Sequence, residues 1–330
     1  MLYQDRAART DPMGKTQTGS LIYALQHNIQ QAIVGKEKVI ELMLIALICK
    51  GHVLIEDVPG VGKTTLASAL AKSLQCSFKR IQFTPDVTPS DVTGYTMVNI
   101  RTGETEYRPG AVMSQIVLAD EINRTSPKTQ SALLEVMEEG QATVDGVTHA
   151  LPKPFMVMAT QNPVDFVGTY PLPEAQMDRF MMRISIGYPS VEEEIDMLER
   201  YTGAITPMQT MEPVCAAADI LRLQEQVGSV YCSPEARSYV ANIVAATRRH
   251  ESLQLGVSPR GGIALLRAAQ ASALISGRDY VLPDDIRRMA PNVMCHRFIL
   301  MPEARMKNIR PEDVLGQILN TVPVPGGRVG

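Results

Sequence analysis

Four short apolar or alternating runs, at residues 52–57, 77–83, 116–119 and 155–159, are separated by stretches whose apolar positions recur every three to four residues. Runs this short suit buried strands and the longer periodic stretches suit helices, so the first part of the chain predicts an α/β unit with a mainly parallel sheet and helices on both faces. Its clearest helices fall at 63–74 and 128–139, the latter presenting Ala132, Leu133, Val136 and Met137 on one face. Two segments read as inserted hairpins: 95–108 around Arg101-Thr-Gly-Glu104, and 142–150 around Asp145-Gly146, a dipeptide suited to a tight turn. Ser190 followed by Glu193 is a capping-box signal that opens a helix at 191–201.

Beyond residue 216 only amphipathic helical patterns remain, at 217–226, 234–249, 259–276, 283–289 and 311–319, several with Pro in the first turn. The chain therefore divides into an N-terminal helical extension at 1–29, an α/β domain at 30–201 and a linker at 202–215. After these come a smaller all-helical lid domain at 216–321 and a Pro/Gly-rich flexible tail at 322–330.

Composition narrows the class without naming a task. With 330 residues, 45% of them apolar, the chain can bury a core in each of two domains. Its 32 basic and 35 acidic residues give a formal charge of −3, which offers no broad positive field for nucleic acid. The cysteines at 49, 76, 215, 232 and 295 are odd in number and form no metal-ligand spacing, as in a reduced, cytoplasmic protein. No run is long enough to span a bilayer, so membrane contact would need a partner.

The chemistry begins at Val53-Leu-Ile-Glu-Asp-Val-Pro-Gly-Val-Gly-Lys-Thr-Thr65, a strand, a glycine-containing loop and a helix start. That is the context of a phosphate-binding P-loop. Within the loop Pro59-Gly60-Val61-Gly62, the two glycines would let backbone N–H groups turn towards phosphate oxygens, beside the positive end of the following helix. Lys63 would bridge β- and γ-phosphates, the Thr64 hydroxyl would ligate Mg²⁺, and Thr65 would lie near the α-phosphate. The strict pattern has glycine where this chain has Asp57. Next, Ser114-Gln-Ile-Val-Leu-Ala-Asp-Glu121 is an apolar run ending in two acids, which a parallel sheet would carry to the same edge as the P-loop. Asp120 would hold Mg²⁺ through water and Glu121 would polarise the attacking water. The run at 155–159 ends in Thr160-Gln-Asn-Pro163, making Asn162 the candidate to position that water.

This order of motifs resembles AAA+ ATPases. Residues 83–94, Ala119-Asp-Glu-Ile-Asn-Arg124, the helix at 127–139 and Ala159-Thr-Gln-Asn-Pro163 resemble the MoxR family within them, over about residues 20–325. The resemblance implies ATP and Mg²⁺ as cofactors and a homo-hexameric ring. It also implies a client protein to be remodelled, matured or loaded with metal or cofactor, often with a von Willebrand factor A-domain partner. It assigns Arg179, in Gln176-Met-Asp-Arg-Phe180, as an arginine finger and Arg260, in Ser258-Pro-Arg260, as the sensor-2 residue. It places Val34, Gly35 and Tyr188 at the adenine pocket and turns both hairpins towards the substrate side of the ring. A nucleic-acid translocase of the same branch and an ATP-gated scaffold with little turnover are the alternatives. The charge balance argues against the first, and Glu121 with Arg179 against the second.

Overall fold

The computed structural model describes residues 15–162, 168–202 and 206–326. Residues 1–14 of the N-terminal extension, 203–205 of the linker and 327–330 of the tail lie outside that range.

The chain opens with α1 (Lys15–Gln30) and α2 (Glu37–Ile48), then runs through β1 (Val53–Glu56), α3 (Lys63–Ser73), β2 (Phe78–Gln82) and α4 (Pro89–Thr93). An antiparallel hairpin of β3 (Gly94–Val98) and β4 (Thr105–Pro109) comes before β5 (Ile116–Asp120) and α5 (Pro127–Glu139). A second antiparallel hairpin, β6 (Gln141–Val144) with β7 (Val147–Ala150), leads into β8 (Met156–Gln161), α6 (Glu174–Met177) and β9 (Met182–Ile184). Five strands form a parallel sheet in the order β2-β5-β8-β1-β9.

Strand periodicity sorts the core into two faces. Val53, Ile55, Ile116, Leu118, Met156 and Met158 pack into one apolar cluster, while their neighbours Leu54, Val117, Ala119, Val157 and Ala159 pack into the other with Leu133 and Phe180. Both faces are covered, which is why these strands read as continuous apolar runs. The first cluster continues through α2, buried from Val39 to Ile48 except at Glu41, into the C-terminal helices.

Those helices are α7 (Val191–Tyr201), α8 (Pro207–Thr210), α9 (Ala217–Val227), α10 (Pro234–Thr247), α11 (Pro259–Ile275), α12 (Pro283–Met294), α13 (Pro302–Met306) and α14 (Pro311–Thr321). The helical lid also contains a small antiparallel pair, β10 (Leu253–Leu255) with β11 (Ile299–Leu300), too short to leave a periodic signal. The edge strand β9 is equally short and leaves none either. The sequence pattern ends α12 at 289, ahead of Pro291, yet the helix reaches Met294, and Pro291 accepts the Cys295 N–H in its last turn. Residues 206–215 are docked on the α/β domain: Met211 and Cys215 are buried, and the N–H groups of Val214 and Cys215 donate to Ser73 O at 3.0 and 3.2 Å.

Candidate functional site: a nucleotide cleft at the strand ends

β1, β5 and β8 lie side by side, Leu54 opposite Ala159 and Ala159 opposite Ala119, so their carboxyl ends open at one edge. At that edge residues 57–62 turn from β1 into α3. Gly60 (φ 87°) and Gly62 (φ 91°) take the left-handed conformation that side chains disfavour. A Cβ on Gly60 would meet nothing within 4 Å, so glycine is needed there for its conformation, and the space in front of the loop is open.

The Lys63 ammonium donates to Asp57 O at 2.8 Å, folded back along the loop. Burial lowers its pKa, and the carboxylates of Asp120, Asp57 and Glu121 oppose that shift. The P-loop lysine and both acids of the Asp-Glu pair therefore share one electrostatic site.

Asp120 is buried at the end of β5. Its Oδ1 accepts the Thr160 hydroxyl at 2.6 Å, and its Oδ2 accepts Arg80 Nη2 at 2.7 Å. The Thr160 oxygen in turn accepts the Glu121 N–H at 2.9 Å, holding Glu121 at φ 58°. The Glu121 carboxylate accepts Gln82 Nε2 at 2.8 Å and Arg124 Nη1 at 3.1 Å. Asn162 is buried just past the end of β8. Sequence reasoning alone does not single out Thr160, Arg80, Gln82 or Arg124. Their one local signal is a position on strands or turns beside the Asp-Glu pair.

A cleft of about 480 Å³ adjoins the loop, a size suited to a nucleotide. Val34, Pro59, Gly60, Val61, Gly62, Thr65 and Tyr188 line it, with Met197, Leu198 and Tyr201 of α7 forming an apolar wall. Tyr188 is 72% exposed, free to cover a flat ring. Gly35 (φ 65°) is not part of the lining; it packs against Glu193, which leaves no room for a Cβ.

The donor set fits Mg²⁺. Two hard oxygen groups are available, the Thr64 hydroxyl in the first turn of α3 and the Asp120 carboxylate, which acts on the charge of Lys63, and Mg²⁺ is commonly held by one or two protein groups plus water and substrate phosphates. Among the described residues no group of three His, Cys, Asp or Glu could hold an ion, so phosphate oxygens would have to complete the shell. Both Asp120 oxygens are already engaged, which favours contact through water. The ion would neutralise charge building on the phosphates.

Arg179 and Arg260 lie elsewhere. Arg179 Nε pairs with Glu138 Oε2 at 3.2 Å, and Arg260 Nη1 with Glu138 Oε1 at 2.8 Å. Glu138 borders a different cleft, whose lining shares no residue with the one beside the P-loop. The backbone carrying Arg179 is clamped to the lid: Arg297 Nε donates to Asp178 Oδ1 at 2.6 Å and its Nη2 to Phe180 O at 2.7 Å. Ser258, the N-cap of α11, donates to Asp178 Oδ2 at 2.8 Å.

The parallel sheet, P-loop and helical lid define an ATPase of the AAA class. A family model for ATPases associated with various cellular activities (AAA) matches residues 52–182, and an AAA lid domain matches 245–318. The chain belongs to the MoxR family of these ATPases. It is 42% identical to chaperone MoxR1 of Mycobacterium tuberculosis, over 90% of this chain and 80% of that one. It is 56% identical to the uncharacterized protein YeaC of Bacillus subtilis, over 92% of this chain and 94% of that one. A crystal structure of a Cytophaga hutchinsonii protein assigned as an ATPase superposes with a TM-score of 0.88 at 38% identity, covering 94% and 96% of the two chains.

Proposed function

We propose that this MoxR-family ATPase couples Mg-ATP hydrolysis in a homo-hexameric cytoplasmic ring to the remodelling or maturation of a client protein, including insertion of a metal or cofactor. A von Willebrand factor A-domain protein would act as its adaptor. Lys63 and the backbone N–H groups of residues 60–62 would hold the triphosphate, Thr64 and Asp120 the ion, and Glu121 the attacking water, with Asn162 beside the γ-phosphate.

The observation that carries the ring is the meeting of Arg179 and Arg260 on one half-exposed carboxylate, Glu138, outside their own nucleotide cleft. Two guanidiniums from different domains converging on a single anion suit a phosphate presented by a neighbouring subunit. Both arginines would then act in trans, and Glu138 would give way to the γ-phosphate when the ring closes. The first hairpin favours a protein client over a nucleic acid. Near its tip Val98 and Ile100 are exposed, Ile100 at 97%, and the charges of Arg101, Glu104, Glu106 and Arg108 balance.

A mixing experiment tests the composite site. Glu121→Gln subunits and Arg179→Ala subunits should each be inactive alone. Mixed, they should regain turnover, because an intact Glu121 from one then meets an intact Arg179 from the other. No recovery in mixed rings would mean that Arg179 serves its own chain's site.

A further inference from the structure

Asp57 occupies the position where a P-loop ordinarily begins with glycine, and its side chain is not idle. It is 7% exposed, and its carboxylate collects four donors. Val58 N–H reaches Oδ1 at 3.1 Å; Ser185 Oγ at 3.1 Å, Ile186 N–H at 2.5 Å and Gly187 N–H at 2.8 Å all reach Oδ2. Its own N–H continues the β1–β8 ladder to Gln161 O, and its carbonyl accepts Lys63 Nζ. One residue thus touches the first amide of the phosphate loop, the P-loop lysine and the segment leaving β9.

That segment leads directly into the cleft. Gly187 (φ 68°) turns the chain into Tyr188 and Pro189, which line the cleft together with Pro59–Gly62 and precede the apolar wall of α7. The short strand β9 stands at the edge of the five-stranded sheet and, among the described residues, pairs there with β1 alone, so the sheet by itself does little to fix where Tyr188 stands. A buried carboxylate accepting successive backbone N–H groups is a strong, directional tie. We propose that Asp57 is a positioning residue that sets the base-binding wall, through Gly187 and Tyr188, at a fixed distance from the phosphate loop, and so contributes to selection of the purine. This inference rests on reading the cleft as the ATP site.

The test compares ATP, GTP and inorganic tripolyphosphate binding to Glu121→Gln protein with and without Asp57→Gly, which restores the usual glycine. Tripolyphosphate has no base and reports the phosphate loop alone. Asp57→Gly should weaken ATP binding about tenfold or more and bring the ATP-to-GTP ratio towards one, while tripolyphosphate changes by less than about twofold, since three of the four donors that lose the charged acceptor, Ser185, Ile186 and Gly187, lie on the wall side and only the Val58 N–H lies on the loop side. With Glu121 intact, KM for ATP should rise while kcat changes little. Ser185→Ala, which removes one contact and leaves the carboxylate, should shift ATP affinity the same way by a smaller factor, and it carries the test if the glycine variant does not fold. Equal weakening of ATP and tripolyphosphate, or unchanged ATP affinity, would overturn the proposal. Failure of the parent protein to bind ATP or tripolyphosphate at all would instead sink the site assignment beneath it.

Discussion

The hydroxyl of Thr160 donates to Asp120 Oδ1 at 2.6 Å, and the same oxygen accepts the backbone N–H of Glu121 at 2.9 Å. A single side chain at the end of β8 therefore orients one acid of the pair directly and the other through its main chain. Both contacts are made within the chain itself.

Replacing Thr160 with Val keeps the volume and removes both hydrogen bonds. Asp120 and the Glu121 amide then lose their fixed partner, and Glu121 is no longer tied to its left-handed conformation. Turnover should fall about tenfold with ATP affinity nearly unchanged. Steady-state kinetics beside equilibrium binding would show this; an equal loss in both would assign Thr160 to general folding.

The roles proposed for the phosphate loop and the acid pair separate binding from chemistry. Lys63→Ala should abolish ATP binding, because in the proposed site the ammonium would supply the positive charge that meets the phosphates. Glu121→Gln should bind ATP as before and stop hydrolysis, since the amide cannot take the proton of water. Titration with a fluorescent ATP analogue distinguishes the two, and tight binding by the lysine variant would contradict the P-loop assignment.

Acid should destabilise the protein before its carboxylates titrate. His52 is buried between two backbone groups, accepting the Val157 N–H on Nδ1 and facing Met137 O from Nε2, and burial lowers its pKa to about 4. His296, also buried and close to Arg297, is pushed well below its ordinary value by burial and by that guanidinium. Both fold in the neutral form, so the unfolded chain binds more protons between pH 6.5 and the lowered values. Their stabilisation is complete above about pH 6.5 and is lost as pH falls towards 4, by about 3 kcal/mol for His52. Melting temperature measured from pH 7.5 to 5 should drop, and His52→Gln should flatten that slope; a slope unchanged in the variant would remove His52 as a cause.

Where a physical pattern extends over enough residues, it is legible in the sequence. Strands β1, β5 and β8 announce themselves because both faces of the sheet are covered there, α5 does so through Ala132, Leu133, Val136 and Met137 at helical spacing, and α7 through its capping box of Ser190 with Glu193. The loop, Lys63 and the acid pair are legible because covalent order alone places them: a strand end, a turn and a helix start are consecutive in the chain. Where partners come from distant segments, nothing local marks them. Arg80, Gln82 and Thr160 look like ordinary strand polar residues until β2, β5 and β8 stand side by side.

By itself, then, the sequence determined the class of fold, since hydrophobic periodicity dictates it, and local spacing marked residues 57–65 and the Asp120-Glu121 pair as the candidate phosphate loop and acids. Only the tertiary structure decided that Asp57, a departure from the glycine pattern, ties the loop to residues 185–187, and that Arg179 and Arg260 share Glu138 rather than facing their own cleft. The contacts of Asp57 with Gly187 and of Glu138 with Arg260 join residues 130 and 122 positions apart. Such contacts arise from the packing of the lid and sheet against a common core, which no local window of residues encodes.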